Sequence, residues 1–455
     1  MQRESGKGEN MESEREATKN LYGLDEKPPI SVTMTAALQW FFITLSSSLV
    51  VPLVIGEMYG LSPQQVGQFV QQTFFLIGLV SLLQILFGHK LPITEGPAGM
   101  WWGIFIILVN LGTVAGQAPQ EIGQSLEMGL IITGIMLIIL GATGFIEKVQ
   151  RIFTPLVSGG YLILLAVSLS GPVMNGMLGI GYFSKESGVE PVLAMVSIGL
   201  VFLTFIMIRS PFKYVRSFAI LISMIIGWLI YLFMDWTKPL QEANGLFELP
   251  QPFFWGPPVF HLGTVLTSLV TGLILITNLV ASIAVVSHVA NIRPREEDYR
   301  RGGIMTGVAH LLSGFGGIVG LVPLSISAGV IQVSRIAARL PFIIAAIMLI
   351  LLGVLSPVSR ILAGLPSPVG YAVMFVTYTQ LLGFGLRDFG RIILDERNVL
   401  IIGFGLLGGI GLMFVPPEAL QVLPPIFSYI FGNGLVMGVL LIIFMEQVVF
   451  RSRPH

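Results

Sequence analysis

The sequence predicts an all-α polytopic membrane protein of fourteen spans, arranged as two inverted seven-span repeats. Three observations lead to that fold class. The chain is 54% hydrophobic and only 11% charged over 455 residues, against roughly 25% charged in soluble proteins. It cannot clothe a soluble surface. Apolar runs long enough to cross a hydrocarbon layer of about 30 Å follow one another almost without pause. Two of these runs, far apart in sequence, are interrupted by the same kind of proline- and glycine-rich break, the best pointer in a sequence to a transporter's binding site.

Residues 1–30 are polar and charged, without the apolar stretch of a signal peptide, and read as a soluble, disordered cytoplasmic tail. Spans follow at about 31–55, 64–88, 91–112, 125–144, 154–175, 190–208, 214–234, 261–287, 302–319, 320–338, 341–361, 366–386, 398–415 and 430–449. An even number puts both termini on one side. With that side inside, only Lys185, Lys238 and Arg360 of the 25 Lys and Arg residues fall outside. The positive-inside rule is satisfied at every loop, which places a multi-pass protein in the plasma membrane with cytoplasmic termini. The absence of cysteine excludes a disulfide framework, a thiolate nucleophile and a cysteine-based metal site.

The first break to stand out is "GFGGIVGLVPLSISAGVIQVSRIAAR", Gly314 to Arg339. Pro323 lacks an N–H and biases Val322 away from helix. Ser325 and Ser327 follow in period two, and Ala328-Gly329 is placed to open a helix that ends in Arg335 and Arg339. The second break is "LPITEGPAGMWWGIF", Leu91 to Phe105. Here Pro92-Ile93-Thr94 aligns with Pro323-Leu324-Ser325, and Ala98-Gly99 with Ala328-Gly329, allowing one residue of slip. In lipid, such backbone is tolerated only where it is buried in protein or lines a cavity. The breaks fall in spans 3 and 10, and an odd separation of seven spans inverts the two halves, so the breaks meet near the midplane. Five extended residues from Lys90 to Glu95 cover about 16 Å, which also reaches mid-membrane. Pro97 suits a first helical turn and Gly96 its cap. Two half-helix N-termini then offer free N–H donors and partial positive charge to carbonyl oxygens or an anionic ligand held between them.

Further motifs carry a family resemblance. "YGLDEKPP" (Tyr22 to Pro29), "LQWFFITLSSSLVVPLVIG" (Leu38 to Gly56), "FTPLVSGGYLILLAVSLSG" (Phe153 to Gly171), "RRGGIMTGVAHLLSGFGG" (Arg300 to Gly317) and "GVIQVSR" after it occur in order over about residues 20–450. Together they resemble the nucleobase:cation symporter-2 family, the nucleobase–ascorbate transporters. The resemblance implies a core domain of spans 1–4 (31–144) and 8–11 (261–361). It implies a gate domain of spans 5–7 (154–234) and 12–14 (366–449), with short antiparallel strands breaking spans 3 and 10. It also implies secondary active uptake of a purine or pyrimidine, of the uracil, xanthine or uric acid type, with a proton or sodium ion.

The chain departs from the family where the substrate is read. In span 8, Asn278 and Ser282 stand at the positions of the family's glutamate and of the histidine or aspartate one helical turn later. In span 10, Ile326 and Ser327 replace the acid-or-amide and the asparagine. In span 1, Trp40 replaces a histidine, and Ser47 takes the substrate-lining position. In span 3, Gly99 stands where an aromatic is usual. The expected substrate site is therefore Ser47, Glu95, Gly99, Asn278, Ser282, Ser325, Ser327 and Gly329. Asn278 carries donors and an acceptor in one plane, a match for the amide edge of a nucleobase, or else a helix-packing amide. Phe41, Phe42, Trp101 and Trp102 are candidates for ring stacking or core packing.

Glu95 is the only carboxylate expected deep in the membrane, and it is the candidate proton carrier. His310 reads as a bonded core residue, and His89 and His288 lie at cytoplasmic ends. No cofactor, metal or nucleic-acid partner is expected. The partners are a nucleobase, H+ and the bilayer, with monomer and homodimer both open. Neither HExxH nor GxGD occurs in any span, so an intramembrane enzyme is not expected. An uncoupled nucleobase facilitator and a small-anion carrier of the same inverted-repeat fold are the alternatives.

Overall fold

A computed structural model of the chain describes residues 21–114, 116–145, 154–183, 188–212, 215–216, 218–237, 245–420, 423, 431–432 and 434–450. The first half holds α1 (Ile30–Ser48), α2 (Val50–Met58), α3 (Pro63–Phe87), β1 (Glu95–Pro97), α4 (Gly99–Val114), α5 (Pro119–Ala142), α6 (Pro155–Met177), α7 (Pro191–Ile208) and α8 (Ala219–Phe233). The second holds α9 (Leu262–Val289), α10 (Glu296–Phe315), β2 (Leu321–Pro323), α11 (Ile326–Ser334), α12 (Arg339–Val354), α13 (Ser356–Ala363), α14 (Ser367–Phe389), α15 (Glu396–Met413), α16 (Pro417–Leu420) and α17 (Gly434–Phe444). Among the described residues, seven helices are long and apolar enough to cross a membrane, or eight if the bent pair α13 and α14 is one span. Shorter apolar helices include α4, α8 and α12. The chain is a multi-pass membrane protein.

Local chemistry sets the helix starts. Proline occupies the first turn of α3, α5, α6 and α7, where its missing N–H costs no hydrogen bond. Ser62 and Gln65 close a reciprocal capping box on α3. Glycine sets the closest helix contacts. A Cβ on Gly134 would lie 2.7 Å from the Gly307 carbonyl oxygen, and one on Gly307 equally close to that of Gly134, so α5 and α10 meet backbone to backbone. The same close approach joins α15 and α17 at Gly409 and Gly434.

The helices pack mainly within two sets. In one, α10 lies along α5, α12 along α3 and α1, and α9 along α5. In the other, α14 lies along α6 and α7, and α17 along α15 and α6. Fewer contacts join the sets, through α2 with α14 and α4 with α6.

The two breaks meet as an antiparallel strand pair, with Glu95 opposite Pro323, Gly96 opposite Val322 and Pro97 opposite Leu321. The ladder continues beyond it: Ala98 N–H donates to the Gly320 carbonyl at 3.0 Å and Leu324 N–H to that of Thr94 at 2.9 Å. These two bonds exchange under a local two-fold axis that also exchanges Pro97 with Pro323. The proline-to-proline alignment expected from sequence (Pro92 with Pro323) is therefore corrected by the pairing. Both prolines occupy ladder positions whose N–H groups point away from the partner strand, so neither interrupts a bond. Pro97 lies in the strand rather than the first helical turn, and α4 opens at Gly99. On the other side, α11 opens at Ile326, two residues ahead of the expected Ala328, and stops at Ser334. Arg335 then takes a left-handed conformation at φ 59°.

Two segments depart from expectation. Residues 21–24, read as disordered tail, pair with the connection after α11: Leu21 N–H donates to the Arg335 carbonyl, Ala337 N–H to that of Tyr22 and Arg339 N–H to that of Leu24. Asp25 meets the Arg339 guanidinium. The backbone of the connection had donors and acceptors to satisfy, and the "YGLD" stretch satisfies them. Residues 1–20 lie outside the described residues. The connection between α8 and α9 is the second departure, because residues 247–256 fold as a strap over α3, α5 and α10. Trp255 is buried, with its backbone N–H on Glu127 (3.1 Å) and its indole N–H on the Gly317 carbonyl (2.7 Å). Gln68, Gln71 and Gln72 bind the strap at Glu248 and Gln251. Glu127 is thus a second buried carboxylate, overlooked because the acid that caps a distant strap has no local signature.

Candidate functional site

The strand pair organises the site because its outward-facing groups must find partners. Glu95 N–H donates to Ser81 Oγ of α3 at 3.1 Å, and the two-fold related Leu321 N–H donates to Ser313 Oγ of α10 at 3.3 Å. On the other edge, the Pro323 carbonyl turns toward α9. It accepts from Asn278 Nδ2 at 2.8 Å and from Ser282 Oγ at 3.0 Å. Ser282 Oγ also lies 2.8 Å from Ser325 Oγ. Three expected site residues, Asn278, Ser282 and Ser325, are thereby joined around one carbonyl at the start of α11.

This cluster borders open space. Asn278 is half-buried and keeps its Oδ1 acceptor and one N–H beyond the bond to Pro323. Ser325 and Gly329 are exposed, Ile326 is 46% exposed, and a Cβ on Gly329 would meet no atom within 4 Å. On α9, Ala281, Ala284 and Val285 are exposed. Gly99 is half-buried at the start of α4. The arrangement brings a planar amide, hydroxyls and the N-terminus of α11 together beside exposed surface.

The remaining expected residues lie elsewhere. Ser327 is fully buried and accepts the Thr94 N–H at 2.9 Å, so it ties α11 to the neighbouring break. Ser47 is half-buried and donates to the Thr44 carbonyl of its own helix at 3.1 Å. Glu95 is fully enclosed, and its Oε1 lies 3.6 Å from His89 Nε2. Strand alternation explains this: Glu95 points to the opposite face from Thr94, which meets Thr44 of α1. Trp101 and Trp102 are both buried; Trp101 donates to His310 Nε2 at 2.8 Å, and Trp102 lies 5.3 Å from the Tyr378 ring. His310 Nδ1 is 2.8 Å from the Thr306 carbonyl, so this histidine is bonded at both nitrogens. Of the aromatic candidates, Phe42 is the exposed one, packed edge-on to Phe41.

Comparison with known proteins follows the same lines. The family model Xan_ur_permease, described as "Permease family", matches residues 31–418. The protein YwdJ of Bacillus subtilis (strain 168) is 34% identical over 418 residues, covering 90% of this chain and 94% of its own. The uric acid permease PucK of the same organism is 28% identical, covering 93% and 96%. Its xanthine permease is 25% identical, covering 89% and 91%. Among solved structures, the transmembrane domain of the cyanobacterial bicarbonate transporter BicA superposes with a TM-score of 0.63 at 15% identity, covering 91% of this chain and 97% of that one. That likeness concerns the fold alone. These relatives are permeases, not enzymes, and the chain belongs to the permease family that its motifs resemble, the nucleobase:cation symporter-2 family.

Proposed function

We propose that this protein is a secondary active transporter that takes up a purine or pyrimidine nucleobase of the xanthine, uric acid or uracil type by proton symport. The observation that carries this reading is the Asn278 amide, half-buried beside the exposed start of α11 and tied with Ser282 to the Pro323 carbonyl. Asn278 reads the amide edge of the base, and Ser325, Gly329 and Gly99 line its surroundings. Ser47 completes the lining from α1. The fold is read as fourteen spans in two inverted repeats, α1–α8 and α9–α17. The set containing α5 and α10 is the core domain, and the set containing α6 and α14 is the gate. Both termini are cytoplasmic, in the plasma membrane, and a homodimer is compatible with the exposed apolar helix faces.

Glu95 carries the proton, as an enclosed carboxyl one strand away from the reading groups. Uptake is then expected to rise as the external pH falls, since the gradient loads the acid. Glu95→Gln keeps the shape and removes the charge change, abolishing gradient-driven accumulation while exchange across the membrane continues. The substrate class is tested by thermal stability of the purified protein with xanthine, uric acid, hypoxanthine, guanine or uracil. A ligand at a hundred times its dissociation constant contributes about 2.7 kcal/mol. A shift with sulfate or bicarbonate and with none of the bases selects the anion-carrier alternative; wild-type uptake insensitive to pH and protonophores selects the uncoupled facilitator.

A further inference from the structure

A basic cavity of about 170 Å³ lies apart from the substrate site, where apolar helices end. Its wall draws on three stretches of chain: Lys90 between α3 and β1; Ser287, Arg293, Arg295 and Asp298 where α9 gives way to α10; and Arg339 at the start of α12. Four cations thus face one carboxylate. A single cation past a helix end is common, because it complements the partial negative charge there. Four cations gathered from three stretches into one cavity call for an anion. Two of them are answered within the protein: Arg295 Nε lies 3.6 Å from Asp298 Oδ2, and Arg339 meets Asp25. Lys90 and Arg293 have neither an ion pair nor a side-chain hydrogen bond among the described residues. Ser287 adds a second, independent sign. It is 1% exposed, and its Oγ has no hydrogen-bond partner among the described residues. Buried hydroxyls without a partner are rare, and each asks what it binds.

We propose that this cavity binds a phosphate group, carried by an anionic phospholipid headgroup or free in solution. A phosphate presents negative charge and several acceptor oxygens, the complement of an ammonium, a guanidinium and a hydroxyl. The planar fork of Arg293 suits two of those oxygens, Lys90 supplies a point charge, and Ser287 supplies a hydroxyl donor. The surroundings favour the lipid source. Leu86 and Phe87, at the end of α3 just ahead of Lys90, are 45% and 60% exposed, and Leu340, next to Arg339, is exposed as well. Exposed apolar side chains therefore adjoin the cations along the chain, as a headgroup with acyl chains attached requires. Basic pockets between spans bind anionic headgroups in this way. Arg339 Nε already donates to the Lys90 carbonyl at 2.7 Å, tying the first stretch to the third. A phosphate between Lys90 and Arg293 ties the first to the second, so its binding secures α3, α9, α10 and α12 to one another. Neither a nucleobase nor a proton enters this inference, which stands apart from the proposed transport function.

The test is calorimetric titration of the purified full chain in a neutral detergent at fixed ionic strength. The probes are dihexanoyl phosphatidylglycerol, dihexanoyl phosphatidylcholine and inorganic phosphate. Saturable binding of phosphatidylglycerol is expected, with phosphatidylcholine and inorganic phosphate each about tenfold weaker or more. Inorganic phosphate that binds as tightly as phosphatidylglycerol keeps the phosphate site and names soluble phosphate as its source. Lys90→Asn removes a cation and suits the left-handed backbone at this position, φ 60°. Lys90→Asn and Arg293→Gln are each expected to weaken binding about tenfold, and about 100-fold together, with about threefold for Ser287→Ala. Neither cation's side chain bonds the rest of the protein, so the ligand-free Tm of both variants stays within about 2 °C of wild type. Arg391→Gln removes the same charge outside the cavity and is expected to bind as wild type does. Failure of both phosphatidylglycerol and phosphate to bind saturably overturns the proposal. Wild-type affinity in the Lys90→Asn, Arg293→Gln double variant does so too, as does an equal loss in Arg391→Gln, which would reduce the effect to net charge.

Discussion

The two broken spans start from the same backbone plan and end with opposite surroundings. The local two-fold axis exchanges Gly99 with Ser325, Trp101 with Ser327 and Gly103 with Gly329. In the first break the helix is filled: Trp101, Trp102, Ile104, Phe105 and Ile106 are all at most 1% exposed. A Cβ on Gly103 would lie 3.0 Å from Leu165 of α6. In the second, Ser325, Ile326 and Gly329 border open space. The proline positions and outward N–H bonds to Ser81 and Ser313 are shared. One plan can thus be filled at one copy and left open at the other, and what distinguishes them is side-chain volume.

Substitutions at exchanged positions should separate the two roles. The largest effect is expected at Trp101. Trp101→Ala removes a fully buried ring and leaves His310 without its donor, costing about 3–5 kcal/mol of stability. Thermal unfolding of the purified protein reads this as a large drop in Tm, with substrate affinity of the folded fraction little changed. Asn278→Ala should do the reverse. It weakens binding by about 1–3 kcal/mol, measured by calorimetry or ligand-induced stabilisation, with expression and monodispersity near wild type. Unchanged affinity would reduce Asn278 to a helix-packing amide bonded to Pro323.

A matched glycine pair sharpens the comparison. Gly103→Ala forces Leu165 to give way and is expected to cost about 1–3 kcal/mol of stability. Gly329→Ala meets nothing and stays within about 0.5 kcal/mol in stability, while it narrows the site and lowers affinity. Equal losses of Tm at both would mean that the second break is as tightly packed as the first. The smallest effect is expected from Ser325→Ala. Its hydroxyl bonds Ser282 Oγ at an exposed position, so affinity should fall by about 0.5–1.5 kcal/mol with no change in Tm.

Much of this was legible in the residues. Long apolar runs announce helices whatever their neighbours, and proline with glycine inside them announces a break, because both signals act on local backbone. Among the described residues the expected apolar runs are mostly helical, seven or eight of them long enough to cross a membrane, although α10 starts at Glu296, ahead of the apolar run, with an acidic first turn. Asn278 and Ser282 were singled out by the family resemblance and Ser325 by the proline break before it, and the structure joins the three around the Pro323 carbonyl. Ser327 and Ser47 were harder to place. Nothing in a sequence tells whether a serine faces a ligand or a backbone group that happens to need it.

Composition by itself determined the membrane class, and proline with glycine inside the apolar runs determined the position of the two breaks. These depend on transfer energy and on backbone chemistry, which each residue carries with it wherever it goes. The tertiary structure alone decided the strand register that sets Pro97 against Pro323 as equivalents. It also set the strap that brings Trp255 to Glu127, the docking of residues 21–24 on the connection after α11, and the enclosure of Glu95 with His89. Each of these is a pairing of polar groups distant in sequence. Such partners are chosen by which donors and acceptors the packed helices leave unsatisfied, and that is known only once the helices are packed.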